Sequence, residues 1–265
     1  MNLKLNRPVA FVPTMGSLHA GHKSLIEIAK ELENEVVVSI FVNPLQFENP
    51  EDFTNYPKSI SSDTQLAETS GATFVWVPTF EEIYPNNPEI ISAGEIGKLF
   101  EGVHRFGHFD GVLTVVKRLF DLVQPKFAVF GEKDFQQLFL IKEMVARLDL
   151  PVTIISAPTI RETSGLAMSS RNSRLSNSEL ANASEIYSAL GAATSGKSIS
   201  QARELLLQKA QKISGLILDY AEVIDEDTFD IATESTVKPR AIIAGWINGV
   251  RLIDNMAMTN PESAK

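Results

Sequence analysis

Phe11–Leu25 reads FVPTMGSLHAGHKSL and joins two kinds of sequence pattern. Before it, the apolar run Val9–Val12 predicts a short strand that ends at Pro13. After it, a helical face is predicted from the spacing of Leu25, Ile28, Ala29 and Leu32. Loops that connect a strand to a helix are where open α/β sheets bind their ligands. We therefore expect this loop to open an α/β fold and to form one wall of a binding site.

The segments that follow repeat the strand and helix alternation. Apolar runs predict strands at 36–42, 73–77, 127–130 and 152–155, and helical spacing predicts helices over 111–123 and 135–148. The run 36–42, VVVSIFV, is apolar on both faces, as in a strand that helices cover on both sides. Strands alternating with helices predict a Rossmann-like, doubly wound parallel sheet. We assign residues 1–163 to this domain.

The pattern changes after residue 163. A capping box at Ser176–Glu179 starts one helix, and a second helix is predicted over 201–213. The pair Asn248-Gly249, between apolar runs 241–247 and 250–254, predicts a hairpin with a type I′ turn. A smaller C-terminal α+β lid domain, residues 164–265, with antiparallel strands is therefore expected.

The charge, the cysteine count and the apolar runs of the chain limit the classes of protein to which it can belong. The 33 acidic and 24 basic residues give a net charge of −9, which disfavours binding to nucleic acid. The chain has no cysteine, so disulfides and thiol chemistry are excluded. The N-terminus lacks a signal-peptide pattern, and the apolar runs are too short to span a bilayer. A cytoplasmic enzyme is the expectation.

The first loop has the chemistry of an anion site. His19 and His22 lie three residues apart, on one side of the predicted first helical turn, where N–H groups and the helix dipole attract phosphate. Gly16–Ser24 imitates a Walker A loop with one residue too many, so that interpretation is rejected. A zinc site built with His104 and His108 is a weaker alternative. A third alternative, in which the two histidines merely cap the helix, stays open.

Three further loops carry polar side chains. Asn43 and Gln46 offer neutral amides suited to a small polar substrate, although an ordinary Asn-Pro turn explains Asn43 equally well. In Gly131–Asp134, the glycine is expected to allow a sharp turn, and Lys133 suits an α-phosphate. Asp134 is expected to hold a ribose, orient Lys133 or cap the next helix. The loop Met168–Asn172 combines hydroxyls with one guanidinium and is expected to close over triphosphate.

Together these stretches resemble the pantothenate synthetase (pantoate–β-alanine ligase) family of the HIGH-type nucleotidyltransferase superfamily. The matching stretches, in the family's order, are VPTMGSLHAGH (12–22), SIFVNPLQF (39–47), GHFDGVLTVV (107–116), FGEKDFQQL (130–138), GLAMSSRN (165–172) and RLIDN (251–255). The chain departs from the family at Arg174-Leu175, where members often carry an aromatic residue.

The resemblance implies an ATP-dependent ligase. ATP and pantoate would give pantoyl adenylate and pyrophosphate, and β-alanine would then displace AMP to give pantothenate. It implies that Gln46, Gln137 and Asn43 bind pantoate or β-alanine. It implies catalytic roles for His22, as proton donor or pure charge, and for His19, Lys133 and Arg171. The implied ATP-binding residues are Met15, Gly16, Ser17, Leu18, His19, Ala20, Gly21, His22, Gly131, Glu132, Lys133, Asp134, Ile160, Met168, Ser169, Ser170 and Arg171.

The resemblance also sets the remaining expectations. Either role for His22 would use an imidazolium near phosphate. Mg²⁺ is expected to bind mainly through ATP oxygens, with Asp63 as a possible outer ligand and no dedicated protein metal site. A homodimer formed through the larger domain is expected, with no nucleic-acid or membrane partner. The alternatives are another HIGH-type nucleotidyltransferase acting on a different small acid or phosphorylated substrate, and a non-catalytic nucleotide-binding module.

Overall fold

The computed structural model describes residues 5–47, 53–54 and 59–259 and divides into two compact units, 1–158 and 159–265. The division after Pro158 falls a few residues before the boundary expected at residue 163, so Ile160 belongs to the smaller unit. Each unit has its own hydrophobic core.

The larger unit is built around a five-stranded parallel sheet of order β3-β2-β1-β4-β5. The strands are β1 (Val9–Thr14), β2 (Glu35–Ile40), β3 (Phe74–Trp76), β4 (Phe127–Gly131) and β5 (Thr153–Ala157). The helices described in this unit are α1 (Ala20–Leu32), α2 (Ile60–Thr69), α3 (Phe80–Ile83), α4 (Glu101–His104), α5 (His108–Val123) and α6 (Phe135–Arg147).

Helices cover both faces of this sheet, as the predicted doubly wound fold requires. Ala10 and Val12 of β1 lie in the core beneath α1, whereas Val9 and Phe11 lie in the core beneath α5 and α6. Alternate residues of one strand thus enter opposite cores, which explains why the run is apolar throughout. The fold-class prediction is confirmed.

The smaller unit pairs two helices with a three-stranded antiparallel sheet of order β6-β7-β8. Its elements are α7 (Asn177–Ala193), α8 (Ile199–Ala210), β6 (Leu216–Asp225), β7 (Pro239–Ile247) and β8 (Val250–Ala257). Asn248 and Gly249 have φ of +46° and +72°, as a type I′ turn needs, and Ile247 pairs with Val250. Leu175, at the departure from the family pattern, is buried in this unit's core.

One partly buried ion pair connects the start of this unit to its last strand. The Arg161 guanidinium donates to both carboxylate oxygens of Asp254, at 2.6 and 3.0 Å, and also to the carbonyls of Gly165 and Asn255. Its Cζ lies over the Tyr187 ring, 4.6 Å from the ring centroid. Because a bidentate pair is directional, it fixes the segment after Pro158 against β8.

Candidate functional site

The site in the larger unit lies at the carboxyl ends of the central strands. In the order β3-β2-β1-β4-β5, the direction of winding reverses between β1 and β4, so the loops that follow these two strands border one crevice. The loop after β1 contains Met15–His19, and the loop after β4 contains Glu132–Asp134. These two loops are the first and third of the polar loops that were predicted from the sequence.

His19 and His22 form a reciprocal cap on α1. His19 is the N-cap residue, and its Nδ1 accepts the N–H of Gly21 at 3.1 Å. In return, the Nδ1 of His22 accepts the N–H of His19 at 3.3 Å. The two ring centroids are 4.2 Å apart. This is a capping box in which imidazoles replace the usual Ser and Glu side chains.

The cap also fixes the protonation of both rings. Because each Nδ1 accepts a backbone N–H, the proton of each neutral ring is carried by Nε2. Burial, then the positive charge of Lys133, lowers the pKa of His19. Burial lowers the pKa of His22 to about 3, with His19 and Lys133 adding to the shift and Asp134 opposing it. The free protein therefore presents two neutral Nε2–H donors rather than the imidazolium expected from sequence.

The loop after β4 brings a cation and an anion to the histidines. Lys133 Nζ lies 3.9 Å from the Asp134 carboxylate, and the charges of both side chains act on His22. Asp134 occupies the N-cap position of α6 but makes no side-chain cap hydrogen bond, so its expected capping role is wrong. The expected sharp turn at Gly131 is also wrong, since its φ of −77° is ordinary extended backbone.

Asn43 uses its amide to hold the second loop together. Its Oδ1 accepts the Leu45 N–H at 3.3 Å and the Tyr84 hydroxyl at 3.2 Å. Its Nδ2 donates to the Gly111 carbonyl at 3.0 Å and to Gln46 Oε1 at 3.3 Å. The side chain is only 1% exposed. These four bonds engage both ends of the amide, which makes Asn43 a support for Gln46 in the free protein.

Gln46 is held in one orientation by its neighbours. Its Oε1 accepts from Asn43, and its Nε2 donates to the Met15 sulfur at 3.1 Å. Its backbone carbonyl accepts from His108 Nδ1 at 2.9 Å, and Arg105 donates to the opposite ring nitrogen. Since Nδ1 donates and Nε2 accepts, His108 is the neutral Nδ1–H tautomer in this arrangement. Gln46 therefore keeps its second Nε2–H for a ligand.

Helix α5 supports this turn through a glycine. A Cβ added to Gly111 would lie 2.4 Å from the Leu45 carbonyl oxygen and 2.8 Å from the Gln46 nitrogen. Both of those atoms belong to the backbone, so they cannot move aside cheaply. The second glycine of the GHFDGVLTVV motif therefore has a packing role.

The two glutamines that open α6 behave differently. Gln136 is buried and binds the Ile96 and Leu99 carbonyls and the Glu101 N–H. Gln137 is half-buried, and its side chain makes no hydrogen bond with the described part of the chain. Of the pair, Gln137 is thus the one with an amide available to a substrate.

A cavity of about 450 Å³ lies beside the first loop. Its lining is mainly apolar and includes Met15, Phe41, Pro44, Val77 and Phe80. Asp63 lines it too, but both of its carboxylate oxygens already accept backbone N–H groups of the first loop. Asp63 thus has a structural role in the free protein, and its expected role as an outer Mg²⁺ ligand stays a prediction.

The fourth loop belongs to the smaller unit. The Met168 N–H donates to the Ile160 carbonyl at 3.0 Å, and Ser169 caps the short 3₁₀ turn Ser170–Arg174 by accepting the Arg171 N–H. The Arg171 side chain has no ion-pair partner among the described residues. This guanidinium is therefore available to a ligand.

Sequence reasoning missed Tyr84 and the clamping role of Asp63. Both act through contacts that are distant along the chain, 41 residues for Tyr84 and 45 or more for Asp63. Their local patterns gave no signal of those partners. Within the described ranges, no group of three or more His, Cys, Asp or Glu side chains could hold a metal ion.

The sheet order, the capped helix after β1 and the lysine loop after β4 define a class first. They are the features of a nucleotide-binding α/β protein of the HIGH-type nucleotidyltransferase fold. The family follows from direct comparison. The family model described as pantoate-beta-alanine ligase matches residues 1–257.

Individual relatives agree with that match. The pantothenate synthetase of Acidothermus cellulolyticus is 48% identical over 262 residues, covering 96% of this chain and 86% of the relative. The crystal structure of pantothenate synthetase from Thermus thermophilus has a TM-score of 0.91 and 40% identity, covering 96% and 94% of the two chains. The pantoate-beta-alanine ligase of Francisella tularensis, complexed with beta-gamma ATP and beta-alanine, has a TM-score of 0.79 and 36% identity, covering 96% and 91%. The chain belongs to the pantoate–β-alanine ligase family, which confirms the resemblance drawn from its motifs.

Proposed function

We propose that the protein condenses pantoate with β-alanine at the expense of ATP, through a pantoyl-adenylate intermediate. Family membership supports this activity, and so does the ATP and beta-alanine complex of the Francisella tularensis relative. The observation in the chain itself that carries it is the juxtaposition of His19, His22 and Lys133 at the β1/β4 crevice. These groups can stabilise the negative charge of a phosphate, and they do so as hydrogen-bond donors and a cation without taking a proton from a substrate.

In the first half-reaction, a pantoate carboxylate oxygen attacks the α-phosphorus of ATP. The bond between the α-phosphorus and the bridging oxygen breaks, and pyrophosphate leaves with the electron pair. Lys133 stabilises the charge that develops at the α-phosphate, and the Nε2–H groups of His19 and His22 donate to phosphate oxygens. Binding of a triphosphate beside His22 would raise the pKa of its ring, so proton donation to the leaving group requires nucleotide.

The acid is oriented by neutral amides. Gln46 and Gln137 donate N–H groups to the hydroxyl and carboxylate oxygens of pantoate and leave the carboxylate anionic. A positive side chain in their place would lower its nucleophilicity. The apolar cavity next to Met15 and Phe41 suits a small acid with a branched carbon skeleton.

In the second half-reaction, the amine of β-alanine attacks the acyl carbon of the adenylate. The bond between that carbon and the phosphate oxygen breaks, AMP leaves with the electron pair, and the attacking nitrogen releases a proton to water. Little new protein chemistry is needed, since AMP is already a good leaving group. Positioning by Gln46 is therefore the main contribution of the protein to this step.

Magnesium belongs to this proposal as part of the substrate MgATP. The ion is coordinated by triphosphate oxygens, which are the hard ligands that Mg²⁺ prefers. Arg171, with Met168, Ser169 and Ser170, is proposed to contribute charge and hydrogen-bond donors to the triphosphate. Ile160 is proposed to contact the adenine.

The test is pyrophosphate exchange into ATP. We expect exchange that requires pantoate, and formation of pantothenate and AMP when β-alanine is added. Exchange that is independent of pantoate but depends on a phosphorylated acceptor would favour the alternative nucleotidyltransferase. Binding of ATP with no exchange and no product would favour the non-catalytic module.

A homodimer formed through the larger unit and a cytoplasmic location stay predictions. No helix in the described ranges is both long and apolar enough to cross a bilayer. Static light scattering of the purified protein measures the mass directly, and a monomeric mass at micromolar concentration would contradict the dimer.

A further inference from the structure

The loop between β1 and α1 is clamped by a carboxylate from another helix. Asp63, in the first turn of α2, accepts the Ser17 N–H at 2.8 Å through Oδ2 and the Leu18 N–H at 2.7 Å through Oδ1. The residue is only 3% exposed. Bonds to an ionised acceptor are about twice as strong as neutral ones, so this clamp is a firm one.

The backbone of the loop is shaped for an anion. Gly16 and Ser17 are successive left-handed residues, with φ of +85° and +54°. In this turn the successive N–H groups of Ser17 and Leu18 converge on one carboxylate, and converging backbone N–H groups of a turn form a concavity that binds anions. A phosphate would suit this concavity, but the Asp63 carboxylate fills it. A Cβ on Gly16 would lie 3.0 Å from Asp63 Oδ2, and the φ of +85° at this position also favours glycine.

The clamp ends at the residue that precedes the histidine cap. Leu18 is held by Asp63, and the next residue, His19, is the N-cap of α1. His19 in turn supplies the N–H that orients His22. A shift of the clamped backbone would therefore move the Nε2–H groups of both histidines.

We propose that Asp63 is an internal anion that sets the shape of the nucleotide loop and thereby positions His19 and His22. The proposal rests on the proposed function for its substrate, ATP. It assigns no metal to Asp63, because a cation at its oxygens would lie against two N–H groups whose hydrogens carry positive charge. Triphosphate would then bind at the histidines and not in the concavity.

The experiment replaces the carboxylate and offers it back as a small molecule. In full-length Asp63→Ala, we expect MgATP affinity, measured by calorimetry, and kcat to fall on the order of 10- to 100-fold, since small misplacements of catalytic groups have effects of this size. Sodium formate, which can refill the concavity, is expected to restore a large part of both. The Mg²⁺ concentration at half-saturation is expected to change little.

Glu234 provides a matched control in the smaller unit. Its carboxylate accepts the N–H groups of two successive residues, Ile199 and Ser200, at 2.8 and 2.9 Å. Glu234→Ala therefore removes the same kind of clamp from another helix start. We expect it to lower thermal stability while MgATP affinity and kcat stay within a factor of about two to three, with no response to formate.

Several results would overturn the proposal. Asp63→Ala with unaltered MgATP affinity would do so, as would a loss of activity that formate leaves unchanged in a folded variant. A raised Mg²⁺ requirement with full activity at saturating Mg²⁺ would assign Asp63 to metal instead. Should Asp63→Ala fail to fold, amide hydrogen exchange in the wild-type protein decides. Protection of Ser17 and Leu18 that Mg²⁺ leaves unchanged supports the clamp, and loss of that protection with Mg²⁺ contradicts it.

Calorimetry separates this proposal from the proposed function. MgATP binding needs neither pantoate nor β-alanine, so it tests Asp63 even in a protein that makes no pantothenate. A wild-type protein that binds MgATP but lacks ligase activity would contradict the ligase assignment and leave the Asp63 proposal open to its own test.

Discussion

The Nδ1 of His22 accepts the N–H of His19, and the His19 ring caps the same helix two residues further on. The two histidine side chains thus cap the N-terminus of α1 through Nδ1, and each presents an Nε2–H group. Capping and phosphate binding were alternatives when only the spacing of the histidines was considered. The geometry allows both, because the two nitrogens of one imidazole serve different partners.

Replacing His22 by glutamine should separate these two contributions. Glutamine at the third helical position can still accept the N-cap N–H, so the cap is kept, but the imidazole at the phosphate is lost. We expect kcat to fall at least ~100-fold, by analogy with the loss of an oxyanion donor, while the unfolding temperature at neutral pH stays nearly constant. His22→Ala is the comparison variant, and it should also lose about 1 kcal/mol of stability. Equal stability of the two variants would show that His22 is not a cap.

The pKa of His22 predicts an unusual acid response. It is about 3 in the folded chain, against an ordinary 6.5, so as pH falls the unfolded chain binds the proton first. Stability is unaffected above pH 6.5 and is lost between pH 6.5 and about 3, at up to ~1.4 kcal/mol per pH unit. His22→Gln, which lacks this proton, should have a higher urea midpoint than the wild type within that pH window but not at neutral pH. A gap that is equal under both conditions would contradict the lowered pKa.

The sequence predicted the strands and long helices because each carries its own apolar period. It missed α2, α3 and α4, since two of these have only four residues and α2 has no strong apolar face. The four polar loops were also placed correctly along the chain. Their internal bonding was not, because hydrogen-bond partners such as Asp63 come from segments that have no sequence relation to the loop.

Two glycines also show that contacts between distant segments cannot be predicted from a local sequence pattern. Gly131 was expected to permit a sharp turn, yet its backbone is extended and a Cβ there would only touch Leu25 at 3.9 Å. Gly111 is the first residue of the helix predicted over 111–123, and its local pattern gives no conformational reason for a glycine. Its necessity comes from the backbone at Leu45, which a helical period cannot reveal.

Tyr84 is expected to act on substrate binding from outside the site. Its hydroxyl donates to Asn43 Oδ1, and Asn43 Nδ2 donates to Gln46 Oε1. Burial raises the pKa of Tyr84, which keeps the hydroxyl a donor. In Tyr84→Phe the ring packing against Phe41 is retained and one hydrogen bond is lost. We expect kcat/KM for pantoate to fall about 3- to 10-fold, equivalent to about 1 kcal/mol, with little change in the KM for ATP.

A tyrosine in the smaller unit controls for the substitution itself. Tyr187 is 39% exposed, and its ring lies beside Arg161. Tyr187→Phe should leave both KM values unchanged. An equal rise in the KM values for ATP and pantoate in Tyr84→Phe would indicate a general loss of structure and would refute the relay through Asn43.

Gly111→Ala should damage the pantoate site through the backbone. The added methyl would lie 2.4 Å from the Leu45 carbonyl oxygen, so the turn that holds Gln46 must move. We expect a loss of about 1–3 kcal/mol in stability, as for other overpacked sites, together with a larger fall in kcat/KM for pantoate than in MgATP affinity.

Gly191, in α7, is the matched control because an added Cβ would meet nothing within 4 Å. Gly191→Ala should stabilise the protein by about 0.5–1 kcal/mol at unchanged activity, through helix propensity alone. If Gly111→Ala behaves like Gly191→Ala, the turn at Gln46 does not depend on the close approach of α5.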